Sequence, residues 1–166
     1  QFTGGVTTAD GRVQQILLPL ADLNAIKKNF LLATEMANTW LRADQDFIYD
    51  HASNGANAVP NCSAIQAQSF SPDTIAPVLQ TWDLNMAAGT LTMYFSETVN
   101  ATSLDVTQIT LQHAAALPAV NYSLTAGSSG AMNTAEDGTV MTVSIGLADL
   151  NAIKALAPLC QFNTTS

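Results

Sequence analysis

The sequence predicts an all-β protein of the β-sandwich type, with one short helix in each copy of an internal repeat. Apolar and polar residues alternate in several short segments, which is the pattern of half-buried strands. Two stretches of the chain are similar at a fixed offset and share an unbroken run of eight identical residues. Apolar residues make up 48% of the 166 residues and charged residues only 11%, so the chain has the composition of a packed domain.

The repeat defines the organisation of the chain. Residues 10–27 read DGRVQQILLPLADLNAIK and residues 137–154 read DGTVMTVSIGLADLNAIK. Eleven of these eighteen positions are identical at an offset of 127, and the last eight are unbroken. Such an offset indicates parts of two repeat units. We expect the later part of one unit in 1–60, a polar linker in 61–71, and the early and middle parts of the next unit in 72–166.

Each copy of the repeated segment changes from strand to helix spacing. The predicted strand faces are Met141, Val143 and Ile145 in the second copy and Gln14, Ile16 and Leu18 in the first. Asp22 and Asp149 are the predicted helix N-caps, because a carboxylate can accept exposed amides there. Leu23, Ile26 and Phe30 share one helical side, and Lys27 and Lys28 fall near the C-terminal end, where cations are favoured.

The rest of the second unit is predicted as a succession of strands. The expected inward-facing residues are Trp82, Leu84, Met86, Leu91, Met93, Phe95, Ile109, Leu111, Tyr122 and Leu124. Ala88-Gly89 supplies a turn between the first two strands. Short strands with one apolar face each are typical of a β-sandwich.

One stretch carries a family resemblance. GTLTMYFSETVNATSLDVTQITL, residues 89–111, resembles bacterial-type Ig-like repeats, in which a Phe-Ser-Glu-x-Val strand precedes a loop and a Thr-Ile-Thr-Leu strand. The ending of such repeats is matched loosely by FIYDHASNGANAVP, residues 47–60. The whole pattern is similar to tandem Ig-like repeats in secreted and surface proteins of algae and aquatic protists, including mastigoneme-type filament proteins. The resemblance covers most of 2–60 and 72–156, and it implies Ig-like sandwiches in an extracellular setting.

The charge balance excludes two classes of partner. Thirteen acidic and five basic residues give a net charge of −8, whereas nucleic acids and anionic lipid surfaces need clustered Lys and Arg. No apolar run approaches the roughly 20 residues that span a bilayer, so we expect no membrane insertion. No leader precedes Gln1, so we expect any signal peptide to have been removed.

Four asparagines lie in N-x-[ST] sequons and are the predicted glycosylation sites: Asn61, Asn100, Asn121 and Asn163. Asn121 falls on the polar side of an alternating segment, and Asn100 follows a strand-like run where a turn is expected. Both should therefore face water, as a bulky glycan requires. Asn61 is the weakest candidate, since Cys62 occupies its middle position. Apart from N-linked glycans we expect no cofactor.

The two cysteines, Cys62 and Cys160, have neither the number nor the spacing of a zinc site. In an extracellular protein a pair of cysteines is expected to be oxidised. The bridge can lie within one chain or between neighbouring chains, and the sequence does not choose between them.

The sequence contains few residues that could take part in catalysis or bind a metal ion. Asp50, His51 and Ser53 invite comparison with a Ser-His-Asp triad, but such triads are assembled from distant segments, so a turn is the expected role. His113 begins a loop after a strand and has no predicted partner. Asp44, Asp46 and Asp50 form the acidic cluster, which lacks the twelve-residue calcium pattern and is equally explained by solvation. We predict no enzyme and no metal site.

Two functions follow from these observations. The first is a structural subunit of an extracellular filament or surface coat. Each predicted unit is a partial sandwich with an unpaired edge that can accept a neighbouring strand, so adjacent protein must complete it. That protein is either another copy of the chain or, if the chain is a window cut from a longer tandem array, the flanking repeats. In the second unit the counterpart of 40–60, which includes a predicted terminal strand at Phe47, Ile48 and Tyr49, is missing. The second function is an adhesin or carbohydrate-binding module, with Trp40, Tyr49, Trp82 and Tyr94 as possible stacking residues.

Overall fold

The structure is a computed structural model that describes residues 6–7, 10–116, 119–132, 138–156 and 159, with the backbone alone for 6, 7, 131 and 132. The described residues form small antiparallel sheets and two α-helices, so the β-rich class is as predicted. The chain divides into two compact units, Gln1–Ala76 and Pro77–Ser166.

The first unit consists of short elements. β1 (Val6–Thr7) pairs with β2 (Ile16–Leu17), and α1 (Leu20–Lys27) follows directly. After a 3-10 turn at Met36–Asn38, β3 (Trp40–Leu41) pairs with β4 (Ile65–Gln66). Another 3-10 turn, Asn61–Ser63, precedes β4.

Two expectations for the first unit differ from the structure. The segment 61–71, expected as a linker, contains β4 and its hydrogen bonds to β3. The predicted terminal strand at 47–49 is wrong, because Phe47 and Ile48 lie in a bend and Tyr49 makes one isolated bridge with Gly55. Asp50 accepts hydrogen bonds from the following turn, so the backbone leaves the extended conformation there.

The second unit contains a longer sheet. In chain order its elements are β5 (Leu79–Asn85), β6 (Thr90–Phe95), 3-10 turns at Ala101–Ser103 and Val106–Gln108, β7 (Thr110–Gln112), β8 (Asn121–Ser123), β9 (Ser129–Met132), β10 (Val140–Ser144) and α2 (Leu147–Ala155). β5, β6, β10 and β9 form one four-stranded antiparallel sheet in that order, and β7 pairs with β8. The predicted turn before β6 is present, and Gly89 adopts φ +66°, a conformation that favours glycine.

The apolar face of the sheet carries the core, as the alternation predicts. Leu91 and Met93 of β6 lie opposite Val143 and Met141 of β10, and each is no more than 6% exposed. Further buried residues complete the same cluster: Leu111, Leu124, Ile145, Ile153 and Leu159. The hairpin β7–β8 and α2 therefore contribute side chains that cover this face.

Both helices begin earlier than predicted. The N-cap positions are occupied by Pro19 and Gly146, and Asp22 and Asp149 are the third helical residues. Neither N-cap residue makes a side-chain cap. A carboxylate in the first turn still interacts favourably with the helix dipole. Phe30, which was expected on the same helical side as Leu23 and Ile26, lies beyond the helix and is 67% exposed.

The two helices are short. Within the described residues, neither has the length and apolar content needed to cross a bilayer.

Candidate functional site

The sequon asparagine Asn100 is held in a defined turn. It precedes the 3-10 turn Ala101–Ser103, and its side-chain oxygen accepts the Thr102 amide at 3.0 Å and the Thr102 hydroxyl at 2.8 Å. Asn100 is exposed, as predicted. Both hydrogen bonds use the carbonyl oxygen of the side chain, so they leave the amide nitrogen, the atom that carries an N-linked glycan, uncommitted.

The other sequons differ in setting. Asn121 is the exposed first residue of β8 and lies opposite Gln112. Asn61 is exposed in the 3-10 turn before β4. Asn163 lies outside the described residues. Three of the four predicted sites thus have the solvent access that a glycan requires, and their modification stays a prediction.

The cysteine bridge also remains a prediction. Cys62 is exposed in the turn Asn61–Ser63 and has no disulfide partner among the described residues. Cys160 lies outside the described residues.

The Asp50–His51 segment forms the predicted turn. The Asp50 carboxylate accepts the Ala52 and Asn54 amides at 2.9 and 2.8 Å and the Asn54 side-chain amide at 2.9 Å. These bonds, the Asn54 side chain first, lower the pKa of Asp50. The His51 ring lies 3.4 Å from the Asp10 carboxylate, and both side chains are almost fully exposed. Asp50 is therefore used in shaping the turn.

The remaining titratable candidates are dispersed. Among the described residues no three His, Cys, Asp or Glu side chains come together in a way that could hold a metal ion. The Asp44 carboxylate is bound by Arg42 at 2.6 Å on the surface. His113 meets the backbone of Val120 at 3.2 Å, across the loop between β7 and β8.

A buried carboxylate in the second unit was not predicted as a site. Asp149, 1% exposed, accepts hydrogen bonds from the Ser128 hydroxyl at 2.6 Å, the Thr125 amide at 2.9 Å and the Tyr122 hydroxyl at 2.9 Å. We call the segment 122–128 that supplies these donors the helix cradle. The Ser128 hydroxyl also accepts the Gly146 amide at 2.9 Å. The cradle thus joins the first turn of α2 to the loop after β8.

The donors of the cradle keep Asp149 ionised. Burial by itself raises the pKa of this carboxyl, but the hydrogen bonds from Ser128, Thr125 and Tyr122 outweigh it and hold the pKa at about 2, below its ordinary 3.8. The hydrogen bond to Asp149 in turn raises the pKa of Tyr122. With its donors fixed in this way, Asp149 stabilises the fold at neutral pH. One sequence signal could have identified it: the same Asp occupies the same helical position in both repeat copies.

The outer strand of the four-stranded sheet presents an uncovered apolar surface. Trp82 lies opposite Met93, and Leu79 lies opposite Phe95, with a bulge between Leu79 and Thr81. The extra residue of the bulge brings Leu79 and Trp82, three positions apart, to the same apolar side of the sheet. They are 45% and 48% exposed, so the prediction that Trp82 is a core residue is wrong. We call Leu79 and Trp82 the open face of β5.

The first unit also exposes apolar side chains. In its described part the buried residues are the polar Asp22 and Asn24, and no apolar side chain is buried. The large exposed side chains are Val13, Ile16, Leu17, Leu20, Phe30, Leu31, Leu32, Met36, Trp40, Leu41, Phe47, Ile48, Tyr49, Ile65 and Ile75. The described part of the first unit therefore lacks a buried apolar core.

Comparison with known proteins gives no match: no family model, no curated protein and no solved structure is similar to this chain.

Proposed function

We propose that this chain is a structural subunit of an extracellular, glycosylated filament or surface coat, and that neighbouring copies cover its apolar surfaces. The observation that carries the proposal is the contrast between the two units. The described part of the second unit buries nine apolar side chains, whereas the described part of the first buries none. A domain gains most of its stability from apolar burial, so the first unit needs a partner to supply that burial.

The open face of β5 supports a specific mode of association. β5 is the outermost strand of its sheet, and its second edge is not paired with another strand of the described residues. An outer strand with unpaired backbone groups and an uncovered apolar side is suited to the addition of a strand from another chain. Such a contact joins different surfaces of two copies, and contacts of that kind produce open filaments unless the rotation closes a ring.

The proposal includes an Ig-like fold for the two repeat units. The FSETVN segment, residues 95–100, ends β6 and enters the turn that holds Asn100, which agrees with the strand-then-loop order of the Ig-like repeats that the sequence resembles. Exposed sequons at Asn61, Asn100 and Asn121 support an extracellular setting, where N-glycans occur.

The proposal is tested with the secreted, glycosylated full chain. Electron microscopy and sedimentation velocity over a range of micromolar concentrations should detect elongated, concentration-dependent polymers. Leu79→Ser and Trp82→Ser should shorten or abolish them. Asp83→Ser, on the opposite side of the same strand, is the matched control and should assemble normally. A monodisperse monomer with cooperative unfolding of both units would refute the proposal.

A carbohydrate-binding module is the second candidate, and its supporting observation is the set of exposed aromatic rings. Trp40, Tyr49 and Trp82 are 54%, 60% and 48% exposed, and exposed aromatic rings can stack on sugars. Saturable binding to a glycan array by monomeric chain, lost in Trp82→Ser or Trp40→Ser, would favour this function over the filament.

A further inference from the structure

The two copies of LADLNAIK form the same helix with the same entrance. α1 and the first eight residues of α2 are identical in sequence. The preceding residues have nearly equal dihedrals, φ −58° and ψ 153° at Pro19 against φ −58° and ψ 149° at Gly146. In both, the carbonyl of the preceding residue accepts the fourth helical amide, at 3.0 Å from Leu23 and 2.8 Å from Leu150. Over these eight residues, nothing in the sequence distinguishes one copy from the other.

The surroundings of the preceding residue do distinguish them. A Cβ atom placed on Gly146 would lie 2.5 Å from the Gly127 carbonyl oxygen and 2.8 Å from its carbon. Both are backbone atoms of the helix cradle, so they cannot rotate away as a flexible side chain would. The negative φ of Gly146 is open to other residues, so the close approach of the two backbones is what requires glycine here.

Proline would fail at this position for a second reason. The Gly146 amide donates to the Ser128 hydroxyl at 2.9 Å, and that hydroxyl donates to Asp149 at 2.6 Å. Proline has no amide hydrogen, so it would remove the first bond and leave Ser128 half-satisfied in a buried position. Pro19, the residue that precedes α1, has a Cβ atom and no amide hydrogen. The cradle excludes both features.

We propose that the residue before the helix, Gly146 or Pro19, determines which copy of the repeated helix the helix cradle accepts. The cradle of residues 122–128 binds the helix that follows Gly146 and rejects α1, whether α1 comes from the same chain or from a second copy. Discrimination by a steric overlap and an unsatisfied polar group is a common means of specificity between similar partners. In a chain with repeated helices it prevents exchange between units. This inference does not depend on filament formation.

The first test uses full-chain variants and hydrogen exchange. Gly146→Ala and Gly146→Pro should reduce amide protection across Leu147–Ala155 and across β6 and β10. Gly11→Ala is the matched control, because Gly11 lies outside the cradle and a Cβ there meets only the Val13 carbonyl oxygen, at 3.9 Å. Full protection of α2 in Gly146→Pro would overturn the proposal.

The second test measures the preference directly. Two labelled peptides, GLADLNAIKAL and PLADLNAIKAL, are titrated into the Gly146→Pro chain, and binding is followed by fluorescence anisotropy. The glycine peptide should bind at least about tenfold more tightly, since the proline peptide loses a hydrogen bond and overlaps with Gly127. Equal affinities, or no binding of the glycine peptide, would overturn the proposal.

Discussion

Trp82 and Met93 lie directly opposite each other in the pairing of β5 with β6, yet Met93 is 6% exposed and Trp82 is 48% exposed. Directly paired residues point to the same side of a sheet, so the difference comes from what lies above them. The side chains of β7, β8 and α2 cover the middle of the sheet and leave Leu79 and Trp82 of its outer strand uncovered.

This difference predicts a spectroscopic change on assembly. In a Trp40→Phe background, in which Trp82 is the only tryptophan, emission should shift to shorter wavelengths as polymers form, because the indole leaves water. Trp82→Ala should change the stability of the monomer by less than about 1 kcal/mol, since the side chain is already half-exposed. An unchanged emission maximum in polymerised material would show that another surface forms the contact.

Removal of the Asp149 carboxylate should destabilise the second unit. Asp149→Ala leaves the Ser128 hydroxyl, the Thr125 amide and the Tyr122 hydroxyl without their acceptor, and the expected loss is about 2–4 kcal/mol of unfolding free energy. Urea denaturation followed by circular dichroism measures it. Asn151→Ala, an exposed residue of the same helix, should stay within about 0.5 kcal/mol of the wild type.

The same carboxylate predicts a dependence of stability on pH. The pKa of Asp149 is lowered from 3.8 to about 2 on folding, so the folded state binds this proton more weakly than the unfolded state. Its contribution is therefore complete above the unfolded value and is lost as pH falls from 3.8 towards 2. Asp149→Asn should show a flatter decline of the melting temperature over this range than wild type. Parallel declines in the two proteins would assign the acid sensitivity to other groups.

Glycans are expected on at least two of Asn100, Asn121 and Asn163 in native secreted protein. Attached sugars would shield a surface that has few charges. Peptide mass spectrometry before and after removal of N-glycans measures this, and unmodified peptides at all three sites would contradict it. Thr102→Ala should abolish modification of Asn100, whereas Thr102→Ser retains both the sequon and the hydroxyl that binds Asn100.

Cys62 and Cys160 are expected to be oxidised in native material, within one chain or between two. Alkylation of the unreduced protein with a thiol reagent should label neither residue, although the Cys62 side chain is exposed and would react as a free thiol. Labelling of both would contradict the bridge. Non-reducing electrophoresis distinguishes an intrachain bridge from a dimer.

The sequence by itself determined which side of each strand is apolar. Side chains alternate along any strand whatever its neighbours are, so Leu91, Met93, Met141 and Val143 could be placed on one face before the sheet was known. The repeat likewise determined that two identical helices exist. Burial could not be read in this way for Trp82, because the alternation assigns a face and does not say whether another layer covers it.

Only the tertiary structure decided the role of Asp149. The sequence placed it near the start of a helix, and an N-cap was the expected role because polar groups at that point usually serve the exposed amides. Its actual donors lie 21 to 27 residues earlier, in β8 and in the loop after it. The requirement for glycine at position 146 also comes from the tertiary structure. A larger residue there would overlap with the backbone of Gly127, 19 positions away. Contacts between distant segments arise only when the chain folds back on itself, and local periodicity carries no record of them.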